Sequence, residues 1–207
     1  QETINSVLRK YDIKKDKPIV MQISRFDRLK DPVGVIEAYL QVKKYIDCQL
    51  ILAGGTAEDD SEGFKVLEEV KEKAKKDPDI HILLLPQNDI AVNALQRASD
   101  VIVQKSLKEG FGLTVAEALW KAKPVVASNV GGIPLQIKHK YSGLLCQSVE
   151  GASFAIKQLL SSPEYAKKLG ENGREHIKNN FLITRHLRDY MLLFLSLYHP
   201  EDIVHLC

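Results

Sequence analysis

The sequence predicts an α/β fold, in which a parallel sheet is covered by helices on both faces. Short apolar runs alternate along the chain with longer amphipathic stretches. The apolar runs are nearly continuous in Val, Ile and Leu, as is typical of strands that are buried on both faces. Strict alternation of strands and helices indicates crossover connections, which place helices on both sides of a parallel sheet.

Each element follows from its local pattern. Asp31 can cap the first predicted helix, and Pro32 suits its first position. Apolar runs predict strands, and apolar residues at helical spacing predict helices. The predicted strands are 18–23, 49–53, 80–85, 101–103, 124–127 and 143–146. The predicted helices are 32–44, 64–75, 90–98, 113–121, 152–160, 163–179 and 184–198, and the last is so apolar that we expect it to pack on another part of the protein.

Composition indicates one soluble globular domain. The 207 residues are 44% hydrophobic and 27% charged, and a net charge of +2 gives no reason to expect nucleic acid as a partner. Cys48, Cys146 and Cys207 are scattered without C-x-x-C spacing, which fits structural thiols in a reducing cytoplasm. The N-terminus has no signal-peptide pattern, and the apolar stretch 190–198 is too short to span a membrane. We therefore expect a cytoplasmic protein.

Several common chemistries lack their motifs. The turn after the first strand contains no glycine, which disfavours a dinucleotide fingerprint, and no P-loop pattern occurs in the chain. A G-x-S-x-G nucleophile elbow is also missing. The six histidines have no metal-ligand spacing, and His81 is interpreted as a satisfied or partly exposed imidazole within a strand. No metal site is predicted.

The segment EGFGLTVAE carries the best clue to function. Glu109 and Glu117 bracket it, and an apolar helical stretch follows. If the helix begins near Gly112, the amides of Leu113 and Thr114 are unpaired donors at its positive end. Phosphate oxygens bind at such a position without a dedicated cation. The segment therefore predicts an anion site at the start of this helix.

The remaining residues of the segment suit a ligand that carries hydroxyls. Gly110 and Gly112 allow a ligand to approach the backbone. Glu117 lies one turn into the helix, where its carboxylate can accept from ribose hydroxyls, and Glu109 can accept from a second polyol. The plain alternative is a pair of solvated glutamates beside a helix start, where negative charge is mildly favoured. Phe111, between the glycines, is interpreted as a core or loop-packing residue, as is Trp120.

Unusual loops follow the predicted strands at the edge where parallel sheets bind ligands. Arg25 and Lys30 follow the first strand and can bring two cations to the anion site, as a diphosphate would require. A solvated charge cluster is the alternative. The other loops contain 54–56, 86–88, 104–110 and 128–132.

The cation pair, the glycine pair Gly54-Gly55 and the two spaced glutamates, in this order, resemble the C-terminal, nucleotide-sugar-binding half of retaining glycosyltransferases of family four, which have the GT-B architecture. The longer strings VIVQKSLKEGFGLTVAEALWKAKPVVAS, GGIPLQI and FLITRHLRDY look like the trehalose-making members, the trehalose glycosyltransferring synthases and the trehalose phosphorylases. The resemblance spans most of the chain. It implies a single Rossmann-like, donor-binding domain over residues 1–207, with 184–198 as a terminal crossover helix.

The resemblance also implies a role for each site residue. Arg25 and Lys30 would hold the donor diphosphate, and Glu109 would bind the donor glucose. Ribose hydroxyls would be bound by Glu117. The remaining contacts implied for the nucleotide sugar involve Gly54, Gly55, Gly110, Phe111 and Gly112, the amides of Leu113 and Thr114, and backbone groups of Leu84 and Leu85 against the base. One departure is the loop after the fifth strand, since many members have a GGxPE pattern where this chain has GGIPLQ.

The resemblance further implies a glucosyltransferase that would join glucose from a nucleoside diphosphate glucose to glucose, forming trehalose reversibly. A separate N-terminal domain would supply the acceptor site, so that this chain alone would bind nucleotide without being active. No tightly bound cofactor is implied; UDP-glucose and ADP-glucose are both open as donors, as are a role for Mg²⁺ and a homodimer. A trehalose phosphorylase, a nucleotide-sugar epimerase and a nonenzymatic nucleotide-binding domain remain as alternatives.

Overall fold

A computed structural model of the chain describes residues 2–55, 61–85 and 88–200. Thr56, Pro86, Gln87 and Cys207 lie outside them. The strands are β1 (Ile19–Ile23), β2 (Gln49–Gly54), β3 (Ile80–Leu84), β4 (Val101–Gln104), β5 (Val125–Ser128) and β6 (Leu144–Cys146). The helices are α1 (Glu2–Lys10), α2 (Pro32–Lys43), α3 (Ser61–Ala74), α4 (Asp89–Ala98), α5 (Leu113–Trp120), α6 (Ile133–Gln136), α7 (Val149–Ser161), α8 (Pro163–Asn180) and α9 (Ile183–Tyr198), with a 3₁₀ helix at Arg28–Lys30.

The described strands form one parallel sheet, which confirms the predicted fold class. Its order is β3-β2-β1-β4-β5-β6, and each neighbouring pair is parallel. This is the doubly wound order of a Rossmann-like fold. The order reverses between β1 and β4, and ligands of such sheets bind beyond the strand ends at that reversal.

Apolar clusters cover both faces of the sheet. Alternate residues of one strand enter different clusters, as Val20 and Met21 of β1 show. Tyr39 of α2 and Ile156 of α7 belong to the cluster on one face. Leu119 of α5 belongs to the cluster on the other. Burial on both faces explains why the strand sequences are continuous apolar runs rather than alternating ones.

The predicted elements are confirmed within a few residues, and three short ones were not predicted. Asp31 caps α2, because its carboxylate accepts from the Gly34 amide at 3.0 Å, and Pro32 opens the helix. The unpredicted elements are α1, α6 and the 3₁₀ helix. Helix α1 is short and mostly polar, and it is stabilised by tertiary packing, since Leu8 is buried in the cluster that contains α4.

Helix α9 exposes its apolar residues. None of its side chains is buried, and Leu187, Met191 and Phe194 are each more than half exposed. The expectation that this helix packs on another part of the protein stays a prediction. No helix in the described part of the chain has the length and hydropathy needed to cross a membrane.

An ion-pair cluster ties together the amino-terminal edge of the sheet. Lys43 of α2 contacts Asp77 at 2.7 Å and also pairs with Asp79, which accepts from Lys17 at 2.8 Å. The Tyr39 hydroxyl donates to the Cys48 carbonyl at 3.0 Å. Hydrogen bonds from Lys17 and Lys43 lower the pKa of Asp79.

Replacing Asp79 with asparagine is expected to reduce the free energy of unfolding by about 1 kcal/mol at neutral pH. A carboxylate whose pKa is lowered by folding stabilises the protein above its unfolded pKa, about 3.9, and loses that effect as the pH falls through the folded value. Urea unfolding should therefore show the difference from wild type shrinking as the pH falls from 5 towards 3. Asp16→Asn, at an exposed position nearby, is the control; a pH-independent difference for Asp79→Asn would contradict the linkage.

Candidate functional site

Two residues predicted to bind ligand form an ion pair at the point where the strand order reverses. The Lys30 Nζ atom, in the loop after β1, lies 2.7 Å from Glu109 Oε2, in the loop after β4. The side chains are only 19% and 10% exposed, respectively. The sheet order explains the pairing, because β1 and β4 are neighbours although these residues are 79 positions apart.

Backbone and side-chain contacts fix the loop that carries Lys30. The side-chain amide of Gln22, in β1, donates from Nε2 to the Lys30 carbonyl at 2.7 Å. The Leu107 amide donates to the Leu29 carbonyl at 2.7 Å, which joins this loop to the one after β4. Asp31 and the buried Lys105 form a further ion pair between the same two loops. These contacts therefore hold in place the backbone that carries Lys30.

Helix α5 begins beside this ion pair, as the sequence predicts. Gly112 is its N-cap, with φ of 85°, and no side chain caps the helix. The Gly112 carbonyl accepts from Val115 and Ala116, whereas Leu113, in the first turn, is 67% exposed. The positive end of the helix dipole is thus available to an anion. A Cβ at Gly110 would meet no atom within 4 Å, so there is open space next to this backbone.

Glu117 lies one turn into α5 and is exposed. Its Oε2 atom accepts from Nε2 of Gln96 at 3.2 Å, and Gln96 is fully buried in α4. Sequence reasoning missed Gln96, although a glutamine on the apolar face of a predicted helix is the signal that could have drawn attention to it. The contact holds the carboxylate in place and leaves lone pairs for hydroxyl donors.

Arg25 forms an ion pair with Asp27 and not with Glu109. Its side chain is 66% exposed and lies 3.3 Å from Asp27 Oδ2. Gly54 has a structural reason to be glycine, since a Cβ there would fall 1.8 Å from the Ser24 carbonyl oxygen. The Gly55 carbonyl accepts from the Phe26 amide at 3.2 Å. Roles of Arg25 and the glycine pair in ligand binding stay predictions.

The two leucines at the end of the third strand differ in exposure. Leu84 is 51% exposed, whereas Leu85 is buried and donates its amide to the Gly54 carbonyl at 2.9 Å.

Phe111 and Trp120 are interpreted from the sequence as core or loop-packing residues. Neither lies in the core, because both are more than a third exposed. Both do make packing contacts, since the Phe111 ring lies 5.8 Å from that of Phe181 and Arg174 lies over the Trp120 ring. Their exposure reflects positions at a helix end and in a glycine-flanked loop.

The loop that departs from the GGxPE pattern forms hydrogen bonds with the backbone of Gly110 and Phe111. The Gly132 amide donates to the Gly110 carbonyl at 2.7 Å, and the buried Gln136 donates its side-chain amide to the Phe111 carbonyl. Gln136 thus supports the Gly-Phe-Gly turn. This contact gives the loop a structural role that sequence reasoning left open.

The described residues contain no group of three or more His, Cys, Asp and Glu side chains that could hold a metal ion. Cys48 and Cys146 are buried free thiols, and burial raises the pKa of each to about 11. They fit the predicted structural role, because thiolates are the reactive form. His81 is half-buried, and burial lowers its pKa.

Comparison with known proteins assigns the chain to a family. Residues 4–176 match the family model described as Glycosyl transferases group 1. A trehalose synthase of Rubrobacter xylanophilus is 45% identical over 92% of this chain and 46% of its own length. A trehalose phosphorylase of Grifola frondosa is 34% identical over 77% of this chain and 24% of its own length.

Solved structures agree with this assignment. A glycosyltransferase from Rickettsia africae has a TM-score of 0.81 at 26% identity, over 96% of this chain and 52% of that one. Anabaena Alr3699/HepE in complex with UDP-glucose has a TM-score of 0.76 at 19% identity, over 94% of this chain and 52% of that one, which supports the fold alone.

The fold and the matches define a GT-B-type glycosyltransferase domain. The chain belongs to the group 1 glycosyltransferases, which confirms the class of enzyme that the sequence predicted. It spans about half the length of the trehalose synthases it resembles.

Proposed function

We propose that this chain is the donor-binding half of a retaining glucosyltransferase that transfers glucose from a nucleoside diphosphate glucose to glucose, forming trehalose reversibly. The observation that carries the proposal is the Lys30–Glu109 ion pair, which stands where the strand order reverses and beside the uncapped start of α5. Similarity to trehalose synthases at 42–45% identity supports the product.

The chemistry required of this half is electrostatic. When the nucleoside diphosphate departs, negative charge grows on the distal phosphate. Lys30, Arg25 and the α5 amides would stabilise that charge, and fixed cations are most effective where charge develops in the transition state. Glu109 would accept from hydroxyls of the donor glucose, and Glu117 from those of the ribose. Proton transfer is not required of any of them.

The acceptor site is proposed to lie on the other half of the protein. The trehalose synthases that this chain matches are about twice its length, and the proposed donor residues lie at the carboxyl ends of the strands. The exposed apolar face of α9 is consistent with contact to that half. We therefore expect nucleotide binding without glucosyl transfer from the 207-residue chain alone.

A trehalose phosphorylase is the second candidate, and the similarity to the Grifola frondosa enzyme favours it. In that reaction inorganic phosphate takes the place of the nucleoside diphosphate. Lys30 and the start of α5 suit one phosphate as well as two. The two candidates therefore differ in which anion binds the domain and protects it from thermal unfolding.

Calorimetric titration with UDP, ADP, UDP-glucose and inorganic phosphate tests the proposal. Saturable binding of a nucleoside diphosphate is expected, and Arg25→Ala and Glu117→Ala should each weaken it about tenfold, as loss of a charge-assisted contact would. Arg28→Ala is the matched control, because Arg28 is similarly exposed but pairs with Glu62 and Glu69 of α3.

The titration, together with activity assays of a protein that contains both halves, separates the candidate functions. Binding of phosphate alone would favour the phosphorylase. Nucleotide binding combined with sugar inversion and no glucosyl transfer, in a protein that contains both halves, would favour an epimerase. Nucleotide binding with neither reaction would indicate a nonenzymatic domain. If no anion binds and the variants behave like wild type, the donor-site assignment is wrong.

A further inference from the structure

A chain of buried and partly buried hydrogen bonds connects the start of α5 to Glu109. The Thr114 hydroxyl donates to Oε1 of Gln104 at 3.2 Å, and Nε2 of Gln104 donates to the Ser106 hydroxyl at 2.9 Å. The Ser106 hydroxyl donates to Glu109 Oε2 at 3.2 Å. Gln104 and Ser106 are only 1% and 2% exposed.

In this series of hydrogen bonds, each donor points towards Glu109. A hydroxyl has one proton, so while Ser106 donates to Glu109 its hydrogen bond with the other neighbour must be one that it accepts. The Gln104 amide meets that condition because its NH₂ group faces Ser106. With the amide reversed, the Gln104 oxygen would compete with Glu109 for the Ser106 proton. The observed orientation of Gln104 therefore leaves that proton to Glu109.

Both protein donors to Glu109 reach the same oxygen. Lys30 Nζ and Ser106 Oγ contact Oε2, at 2.7 Å and 3.2 Å. Among the described residues these are the hydrogen bonds made to this carboxylate, so Oε1 keeps its accepting capacity for a ligand. The pair of donors holds Oε2 in place and leaves Oε1 as the oxygen that can accept from a ligand.

We propose that Gln104 is a positioning residue, which orients Glu109 for the donor sugar and couples it to the phosphate-binding start of α5 through Thr114. The inference rests on the proposed function. Gln104 lies at the end of β4 and is buried, so it acts through Ser106 and does not touch the ligand. Its loss should weaken recognition of the sugar more than recognition of the nucleotide.

The test compares UDP with UDP-glucose in titrations of the 207-residue chain. Gln104→Met keeps the length of the side chain and removes both hydrogen bonds. The ratio of the UDP-glucose to the UDP dissociation constant is expected to rise about fivefold to tenfold, the effect of one lost hydrogen bond of ordinary strength. UDP binding itself should change less than about twofold.

Ser106→Ala and the double variant complete the test. Each single variant interrupts the same series of hydrogen bonds. The double variant should therefore change the ratio of the two dissociation constants no more than either single variant does. Gln49→Met is the matched control, because Gln49 is a buried strand glutamine at the opposite end of the sheet, bonded to the Lys14 and Lys17 carbonyls. Equal weakening of UDP and UDP-glucose, or additive effects, would overturn the inference.

A crystal structure of unliganded Gln104→Met separates this inference from the proposed function. The inference expects the Glu109 carboxylate to rotate away from Ser106 in the variant. An unchanged Glu109 would overturn it, whether or not nucleotides bind. Failure of the wild-type chain to bind any nucleoside diphosphate would instead reject the proposed function and leave the crystallographic result to decide the positioning role.

Discussion

Replacing Lys30 with methionine is expected to weaken binding of a nucleoside diphosphate by about 100-fold, which corresponds to about 2.7 kcal/mol. Lys30 is mostly buried against Glu109, with Nζ 2.7 Å from the carboxylate. Its removal takes away a cation and leaves an uncompensated negative charge beside the phosphate site. Truncating one partner of a buried charge pair typically costs 2–5 kcal/mol, largely through the charge left behind. Calorimetric titration with UDP measures the loss.

The double variant Lys30→Met/Glu109→Gln identifies the cause. If part of the loss comes from the unpaired carboxylate, the double variant should bind UDP about tenfold more tightly than Lys30→Met alone. Thermal unfolding of all three proteins controls for damage to the fold. UDP affinity in Lys30→Met within twofold of wild type would contradict the assignment of Lys30 to the phosphate site, provided that the variant is folded.

The sequence predicted most of the fold because its strands are buried on both faces. Runs such as 101–103 and 124–127 are apolar without interruption, so their type follows from composition and spacing alone. Helix α1 was missed because its stability comes from the contact of Leu8 with the core, a tertiary effect that local patterning does not contain. The single turn α6 follows Gly132 and is too short to show periodicity.

The residues of the candidate site were named from the sequence, but their contacts with one another were not predicted. Lys30 and Glu109 were assigned to different parts of the ligand, and their pairing depends on the adjacency of β1 and β4, which the linear sequence does not specify. For a related reason Gln96 was missed, and Gln104 was noted only as part of the loop 104–110. A buried glutamine differs little from its apolar neighbours in a pattern, and its importance appears only when the carboxylate it contacts is known.

Substitution of Gly131 by alanine should reduce the free energy of unfolding by about 3 kcal/mol, the combined effect of backbone strain and a steric clash. Gly131 has φ of 55°, which favours glycine, and a Cβ would lie 1.7 Å from the Glu109 carbonyl oxygen. That atom is backbone, so no side-chain rotation relieves the contact. The loop carrying Glu109 would have to move, and nucleotide affinity should fall together with stability. Urea unfolding and UDP titration measure the two effects.

Gly110→Ala is the matched control. It separates an effect on the stability of the loop that carries Glu109 from an effect on the approach of a ligand to that loop. A Cβ at Gly110 meets nothing within 4 Å, so its free energy of unfolding should stay within about 0.5 kcal/mol of wild type. The same methyl group would occupy space that phosphate oxygens are proposed to enter, and UDP affinity should fall about tenfold. Loss of affinity without loss of stability would mark Gly110 as a point of ligand approach. Wild-type UDP affinity in Gly110→Ala would place the phosphates away from this backbone, and wild-type stability in Gly131→Ala would contradict the close packing of the two loops.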